Sequence, residues 1–234
     1  MKEAIILAGG FGTRLRHVVS DVPKPMAPIG GRPFLEFLLD YLLDFDFQHV
    51  VLSTGYMHEK IESHFGSQYK GLRLSYAREE SPLGTGGGML NAAQHCREDE
   101  FVVLNGDTMF RIDYDHLIRF HQQHGGLLSV VLRQVDDTSR YGSVATDGED
   151  RIIQFTEKSE AQGSGLINGG IYMINRHIFD GLSLGQPFSF EKDIMQAKVA
   201  LQDFYATPSD DYFIDIGVPE DYYRFCQEGQ RFIH

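Results

Sequence analysis

Three glycines and an arginine fall within six residues near the start of the chain, in the stretch Leu7-Ala8-Gly9-Gly10-Phe11-Gly12-Thr13-Arg14-Leu15. Glycine lets the backbone turn sharply and brings bare N–H groups close to a ligand, because no Cβ stands in the way. Arg14 adds a permanent positive charge whose planar fork matches phosphate oxygens. Leu7, Ala8, Gly9, Gly10, Gly12 and Thr13 therefore form a candidate nucleotide-binding turn, with Arg14 as a candidate catalytic cation. A P-loop must end in Gly-Lys-Ser/Thr, and this loop ends Gly12-Thr13-Arg14. The dinucleotide fingerprint needs a third glycine where Leu15 stands. A plain glycine turn after an edge strand is the remaining alternative.

Two carboxylates and a lysine lie further along. Asp107 sits in Asn105-Gly106-Asp107-Thr108 and Asp215 in Asp215-Ile216-Gly217-Val218-Pro219, each directly after an apolar run. Both are placed at strand ends, where they can converge on one Mg²⁺, a hard cation suited to a few carboxylates plus phosphate oxygens. Taken singly, either aspartate reads as well as a turn residue or a helix cap. Lys24 is framed by Pro23 and Pro25, which restrict the backbone and aim the ammonium at little entropic cost. A proline-rich loop with an incidental lysine is the other reading. No Ser-His-Asp or Cys-His nucleophile pattern stands out. Of the ten histidines, His116, His121 and His124 share one predicted helix and read as exposed rather than metal-binding.

The elements that must position these groups follow from patterning. Strand-like runs cover residues 4–7, 50–53, 72–76 and 101–104, with helical patterns at 33–45, 58–65 and 85–96 between them. That alternation marks βαβ units in a largely parallel sheet covered by helices. Ligands of such sheets sit beyond the carboxyl ends of the strands, where the loops 9–14, 54–55, 78–88 and 105–107 all fall. The second half reads as strands at 127–133, 142–145, 152–157 and 170–174. A helix at 190–201, strands at 204–206 and 212–216, and a closing helix from Pro219 complete it. The expected fold is α/β and three-layered, Rossmann-like, with a central mixed, mostly parallel sheet. Residues 1–234 are read as a single domain.

Composition narrows the function. The 33 acidic residues against 21 basic give a net charge of −12, which disfavours nonspecific nucleic-acid binding. A phosphate site on so acidic a chain must be built from local Arg, Lys, backbone N–H and metal. No apolar run approaches the ~18–20 residues of a membrane span, and Met1-Lys2 leads directly into a strand. Cys96 and Cys226 form no ligand pattern and read as two free thiols of a cytoplasmic protein.

From LAGGFGTRL through Pro23-Lys24-Pro25 to the DIGVPEDYY segment, the chain resembles the sugar-1-phosphate nucleotidyltransferases. These join a nucleoside triphosphate to a sugar 1-phosphate and release pyrophosphate. The resemblance implies Mg²⁺ held by Asp107 and Asp215, with Arg14 and Lys24 on the reacting phosphates. It assigns sugar-phosphate binding to Tyr141, Gly142, Glu157, Lys158, Asn168 and Gly169, although Ser159 stands where the family usually has proline after the lysine. It makes Glu79-Glu80-Ser81-Pro82-Leu83-Gly84-Thr85-Gly86-Gly87 the base and ribose end, with Glu79, Gly84 and Thr85 as candidates. Guanine presents two neighbouring donors that one carboxylate accepts together, whereas uracil and thymine have no such pair. Glu79 is the candidate for that role and would favour GTP; a solvated loop glutamate is the other reading. Within the family, Pro23 to Ile29, Pro82 to Gly87 and Leu166 to Tyr172 look most like enzymes acting on D-glycero-α-D-manno-heptose 1-phosphate. Those enzymes supply GDP-heptose for bacterial surface polysaccharides.

A mannose- or glucose-1-phosphate nucleotidyltransferase is the nearest rival. A silent binding homologue would be expected to lack one of Arg14, Lys24, Asp107 or Asp215, and a glycosyltransferase would usually show a DxD around Asp107. A homodimer enters only through the resemblance. Many relatives carry an added C-terminal β-helix, for which this chain is too short.

Overall fold

Ala4, Ile5 and Ile6 are all fully buried, which a strand achieves only when its sheet is covered on both faces. The computed structural model describes residues 1–10, 15, 17–139, 141–156, 163–201 and 203–232. The strands are β1 (Glu3–Leu7), β2 (Pro28–Ile29), β3 (Arg32–Pro33), β4 (His49–Thr54), β5 (Gln68–Tyr69), β6 (Leu72–Arg78) and β7 (Glu100–Asn105). They continue as β8 (Thr108–Phe110), β9 (Leu128–Val135), β10 (Ser143–Thr146), β11 (Ile152–Thr156), β12 (Gly165–Asn175), β13 (Phe204–Pro208) and β14 (Phe213–Asp215). The α-helices are α1 (Phe34–Leu43), α2 (His58–Phe65), α3 (Gly84–Ala93), α4 (Tyr114–His124) and α5 (Pro219–Glu228).

One eight-stranded sheet runs in the order β13-β9-β12-β7-β1-β4-β6-β5. Its centre, β7-β1-β4-β6, is parallel throughout, as the alternation of strands and helices requires. β12 enters antiparallel between β7 and β9, β13 pairs parallel with β9, and β5 is an antiparallel edge. The sheet is therefore mixed and mostly parallel, as expected. Ala4, Ile6, Val50, Leu52, Val102 and Leu104 pack one face against α1, α2 and α5. Ile5, Val51 and Val103 pack the other against α3 and a wide helical coil at Phe190–Gln196. This is the period-two alternation of a strand, with a separate apolar layer on each side.

Register aligns the strand ends that matter. Leu7 lies opposite Ser53 on one side and Asn105 on the other. The turns after β1, β4 and β7 therefore open side by side at one edge. A separate two-stranded ladder pairs β14 with β8, setting Asp215 opposite Thr108. Two features differ from the sequence reading. The strand expected at 170–174 spans Gly165–Asn175 and bulges between Asn168 and Tyr172. His121 is buried, only 1% exposed, with Nδ1 2.8 Å from the Ser129 hydroxyl. It lies on the inward side of α4, whose Asp113 cap accepts the His116 N–H.

Candidate functional site

The glycine turn is held at its base by its neighbours. The Ala8 N–H donates to the Ser53 carbonyl over 2.8 Å, and the Gly106 N–H donates to the Leu7 carbonyl over 3.0 Å. A Cβ on Gly106 would stand 2.5 Å from that carbonyl oxygen, so only glycine lets the β7 turn approach β1 so closely. Gly9 is packed, since a Cβ there would stand 2.9 Å from Glu79 Oε1. Gly10 is exposed and faces open space. Gly12, Thr13 and Arg14 lie outside the described residues, as do Glu157 and Lys158.

Beside this turn, three charges converge. The Lys24 ammonium donates to Asp107 Oδ2 and lies 3.7 Å from Asp215 Oδ1. Each carboxylate is steadied by its own turn: Asp215 Oδ1 accepts the Gly217 N–H over 2.7 Å, and Asp107 Oδ1 accepts the Thr108 hydroxyl over 3.3 Å. The β8–β14 ladder brings the aspartates together, reinforced by the Ile216 N–H donating to the Asp107 carbonyl over 2.9 Å. Lys24 opens a single helical turn, Lys24–Met26, with Pro25 and Met26 buried beneath it. The flanking prolines thus frame a turn. Among the described residues no three His, Cys, Asp or Glu side chains form a metal cluster. Two carboxylates alone fit Mg²⁺, which retains waters and takes its other ligands from phosphates.

Glu79 stands just beyond β6 and is fixed by contacts rather than solvated. Ser53 Oγ donates to Oε1 over 3.2 Å, and the Leu83 N–H donates to Oε2 over 2.9 Å. A cleft of about 220 Å³ opens here, lined by Gly9, Gly55, Tyr56, Glu79, Glu80, Ser81 and Pro82. The glycines that follow are also set by packing. A Cβ on Gly84 would meet the Phe188 carbonyl oxygen at 2.6 Å, and one on Gly86 would meet the Phe188 ring at 2.1 Å. Residues 84 and 86 are thus glycine because Phe188 packs on the first turn of α3. Thr85 does not cap that helix. Its hydroxyl donates to Glu191 Oε2 over 2.6 Å and accepts the Phe190 N–H over 2.9 Å, tying α3 to the coil at Phe190–Gln196.

The second half contributes a more aromatic border. The Tyr141 ring centroid lies 6.0 Å from Phe213, which meets Phe110 edge-on at 5.2 Å. Gly142 is buried with φ of +83°, a left-handed conformation that favours glycine. Asn168 sits at the β12 bulge, where its amide donates to the Tyr172 hydroxyl over 2.7 Å and its Oδ1 accepts the Gly170 N–H over 3.0 Å. Gly169 is glycine for packing, since a Cβ would stand 2.5 Å from the Phe110 ring.

The nucleotidyl transferase family profile matches residues 3–230. The chain belongs to that family. It is 44% identical over 231 residues to the D-glycero-alpha-D-manno-heptose 1-phosphate guanylyltransferase of Aneurinibacillus thermoaerophilus, covering 99% of this chain and 100% of the relative. The enzyme of the same name from Campylobacter jejuni is 43% identical over 223 residues, covering 95% and 98%. Among solved structures, HddC from Yersinia pseudotuberculosis complexed with GMP-PN superposes with a TM-score of 0.85. It is 38% identical, and the match covers 98% of this chain and 100% of that one.

For this nucleotidyl transferase, sequence reasoning passed over three residues at the candidate site. Ser53 orients Glu79, and only strand register places it there. Tyr56 lines the same cleft beside Met57, whose φ of +54° is unusual for a residue with a side chain. Gly217 leaves the space that Lys24 occupies: a Cβ there would stand 2.7 Å from both Lys24 Nζ and Asp215 Oδ1. The glycine two residues after Asp215, in Asp215-Ile216-Gly217, was the available signal for the last.

Proposed function

We propose that this nucleotidyl transferase moves the guanylyl group of GTP onto D-glycero-α-D-manno-heptose 1-phosphate, releasing pyrophosphate. The observation that carries the reading is the convergence of Lys24, Asp107 and Asp215 beside the glycine turn. Glu79 supports the choice of base. A carboxylate offers roughly four acceptor directions, and Ser53 and Leu83 take two, which leaves two for the paired donors of guanine. The two relatives and the GMP-PN complex point to the same base and, for the relatives, the same sugar.

The reaction forms a bond between a phosphate oxygen of the sugar and the α-phosphorus of the triphosphate, and breaks the bond to the pyrophosphate leaving group. That oxygen is already ionised, so no general base is required. The protein's task is positioning and charge neutralisation. Lys24 neutralises charge on the reacting phosphates and Arg14 charge on the departing pyrophosphate. Leu7, Ala8, Gly9, Gly10, Gly12 and Thr13 present backbone to the nucleotide, with Gly84 and Thr85 at its ribose end. Lys158 holds the sugar phosphate, Glu157 and Asn168 sugar hydroxyls, and Tyr141, Gly142 and Gly169 border the sugar. Asp107 and Asp215 would hold Mg²⁺, which supplies positive charge against phosphate oxygens when bound. We place the enzyme in the cytoplasm, a reading supported by two unpaired cysteines, one of them buried.

The test is pyrophosphate release with Mg²⁺ across GTP, CTP, UTP and dTTP, each paired with manno-heptose, mannose and glucose 1-phosphates. Release confined to GTP and the heptose phosphate is the expected result. Release with another pair would keep the reaction and discard the substrates. Silence with every pair would leave a binding protein.

A further inference from the structure

The two carboxylates read as metal ligands already face a charge of this protein's own. Lys24 donates to Asp107 Oδ2, the oxygen left over after Thr108 takes Oδ1, and lies 3.7 Å from Asp215 Oδ1. Its side chain is only 14% exposed. The seat is shaped for an ammonium, because any Cβ at residue 217 would stand 2.7 Å from Nζ.

We propose that Lys24 is an internal counter-ion that keeps Asp107 and Asp215 from taking up metal until a triphosphate draws the ammonium away. This rests on the reading of the two aspartates as metal ligands. An ammonium and a divalent cation cannot share the same carboxylate oxygens at low cost, since like charges a few ångströms apart in a partly desolvated site repel strongly. The lysine can leave. Pro23 and Pro25 fix its backbone, and Pro25 and Met26 are buried, but the flexible four-carbon stem lets the ammonium swing. A triphosphate seated at the neighbouring glycine turn offers several negative oxygens in exchange for the two carboxylates. Lys24 then serves twice: first it bridges the two carboxylates, and later it neutralises phosphate. The consequence is ordered loading, in which the protein binds metal well only together with nucleotide.

The experiment measures Mn²⁺ binding to nucleotide-free protein from the electron paramagnetic resonance signal of the free ion. Wild type, Lys24→Met, and Lys24→Met combined with Asp215→Asn are compared. Lys24→Gln is kept as a second neutral variant in case the first does not fold. Separately, anomalous scattering from Mn²⁺ is located in wild-type crystals grown with a non-hydrolysable GTP analogue. Expected are weak binding by wild type, binding tighter by about tenfold or more when the lysine charge is removed, and loss of that gain with Asp215→Asn. An anomalous peak against Asp107 and Asp215 accompanies them. Equal affinity in wild type and both neutral variants, with that peak present, would overturn the counter-ion role and keep the metal ligands. A peak elsewhere would overturn the metal assignment and this inference with it.

Discussion

Ser53 and Glu79 meet at the ends of neighbouring parallel strands, the serine hydroxyl donating to Oε1 over 3.2 Å. With the Leu83 N–H on the other oxygen, the carboxylate is held in one orientation beside Gly9 and Gly88. A preset acceptor loses little entropy when a base arrives, and so discriminates better than a mobile one.

Glu79→Gln replaces one acceptor oxygen with a donor that faces the donors of guanine. A hydrogen bond to a charged group contributes about 1.5–3 kcal/mol, so kcat/KM for GTP should fall about 10- to 100-fold. The KM for the sugar phosphate should stay within about twofold. Steady-state kinetics with each substrate varied in turn check this, and unchanged GTP kinetics would remove Glu79 from base recognition.

Asp107→Asn and Asp215→Asn should each leave the fold intact, judged by circular dichroism and a cooperative unfolding transition. Each should reduce Mg²⁺-dependent turnover by about 10²-fold or more, the scale at which single electrostatic groups act in transition states. Near-normal rates in both variants would show that neither carboxylate serves the metal.

The first of these positions was more legible in the sequence than the second. Asp107 lies two residues past the end of β7, and the parallel sheet puts every such turn at one edge. Asp215 reaches it only through the β8–β14 ladder. β8 is three residues long and finds its partner about a hundred residues away, and so short a run carries no periodicity of its own. The direction of β12 was hidden for a related reason, since an apolar run is equally apolar whichever way it points. Glycines 84 and 86 also make room for Phe188, a packing partner that no local pattern names. His121 looked exposed because the sequence neighbours of its helix are polar, whereas the helix turns it inward onto Ser129.

Lys158→Ala should raise the KM for the sugar 1-phosphate by about tenfold or more, the cost of one charge-assisted bond, and the KM for GTP much less. Kinetics with either substrate saturating separate the two. The reverse ranking would mean that the nucleotide and sugar ends of the site are exchanged.

Arg111 clamps the last residues of the described chain. Its guanidinium lies 4.7 Å from the ring centroids of both Tyr41 and Phe232, while the Arg111 backbone N–H donates to the Tyr212 carbonyl over 3.0 Å. Phe232 in turn stacks on Phe225, whose side chain is fully buried under α1. Arg111→Ala should cost about 1–2 kcal/mol, from two cation–π contacts and lost stem packing. At this size that lowers Tm by about 2–8 °C. Calorimetry reads the shift, and catalytic constants should hold, since no substrate contact is assigned to Arg111. No change in Tm would show that the sandwich contributes nothing.

Stability should fall as the solution is acidified, beginning near neutrality. Glu3 has no exposed side-chain surface, and it accepts the Arg97 N–H at 2.6 Å, the Glu98 N–H at 2.7 Å and His49 Nδ1 at 2.6 Å. Burial alone would raise its pKa, but the Glu98 N–H, His49 and the Arg97 N–H together hold it below the ordinary 4.5. Burial pushes His49 below the ordinary 6.5 despite its bond to Glu3, and burial likewise lowers His121. In each case the unfolded chain binds the proton first. Stability is therefore full above about pH 6.5, declines below it as the unfolded histidines protonate, and declines again below about 4.5 as unfolded Glu3 does. Urea midpoints at pH 8, 6 and 5 should fall in that order. His49→Gln, which keeps an amide able to face both Glu3 and Ser75, should flatten part of the first decline while lowering stability at pH 8. An equally steep decline in that variant would assign the acid sensitivity to other groups, with His121 the next to substitute.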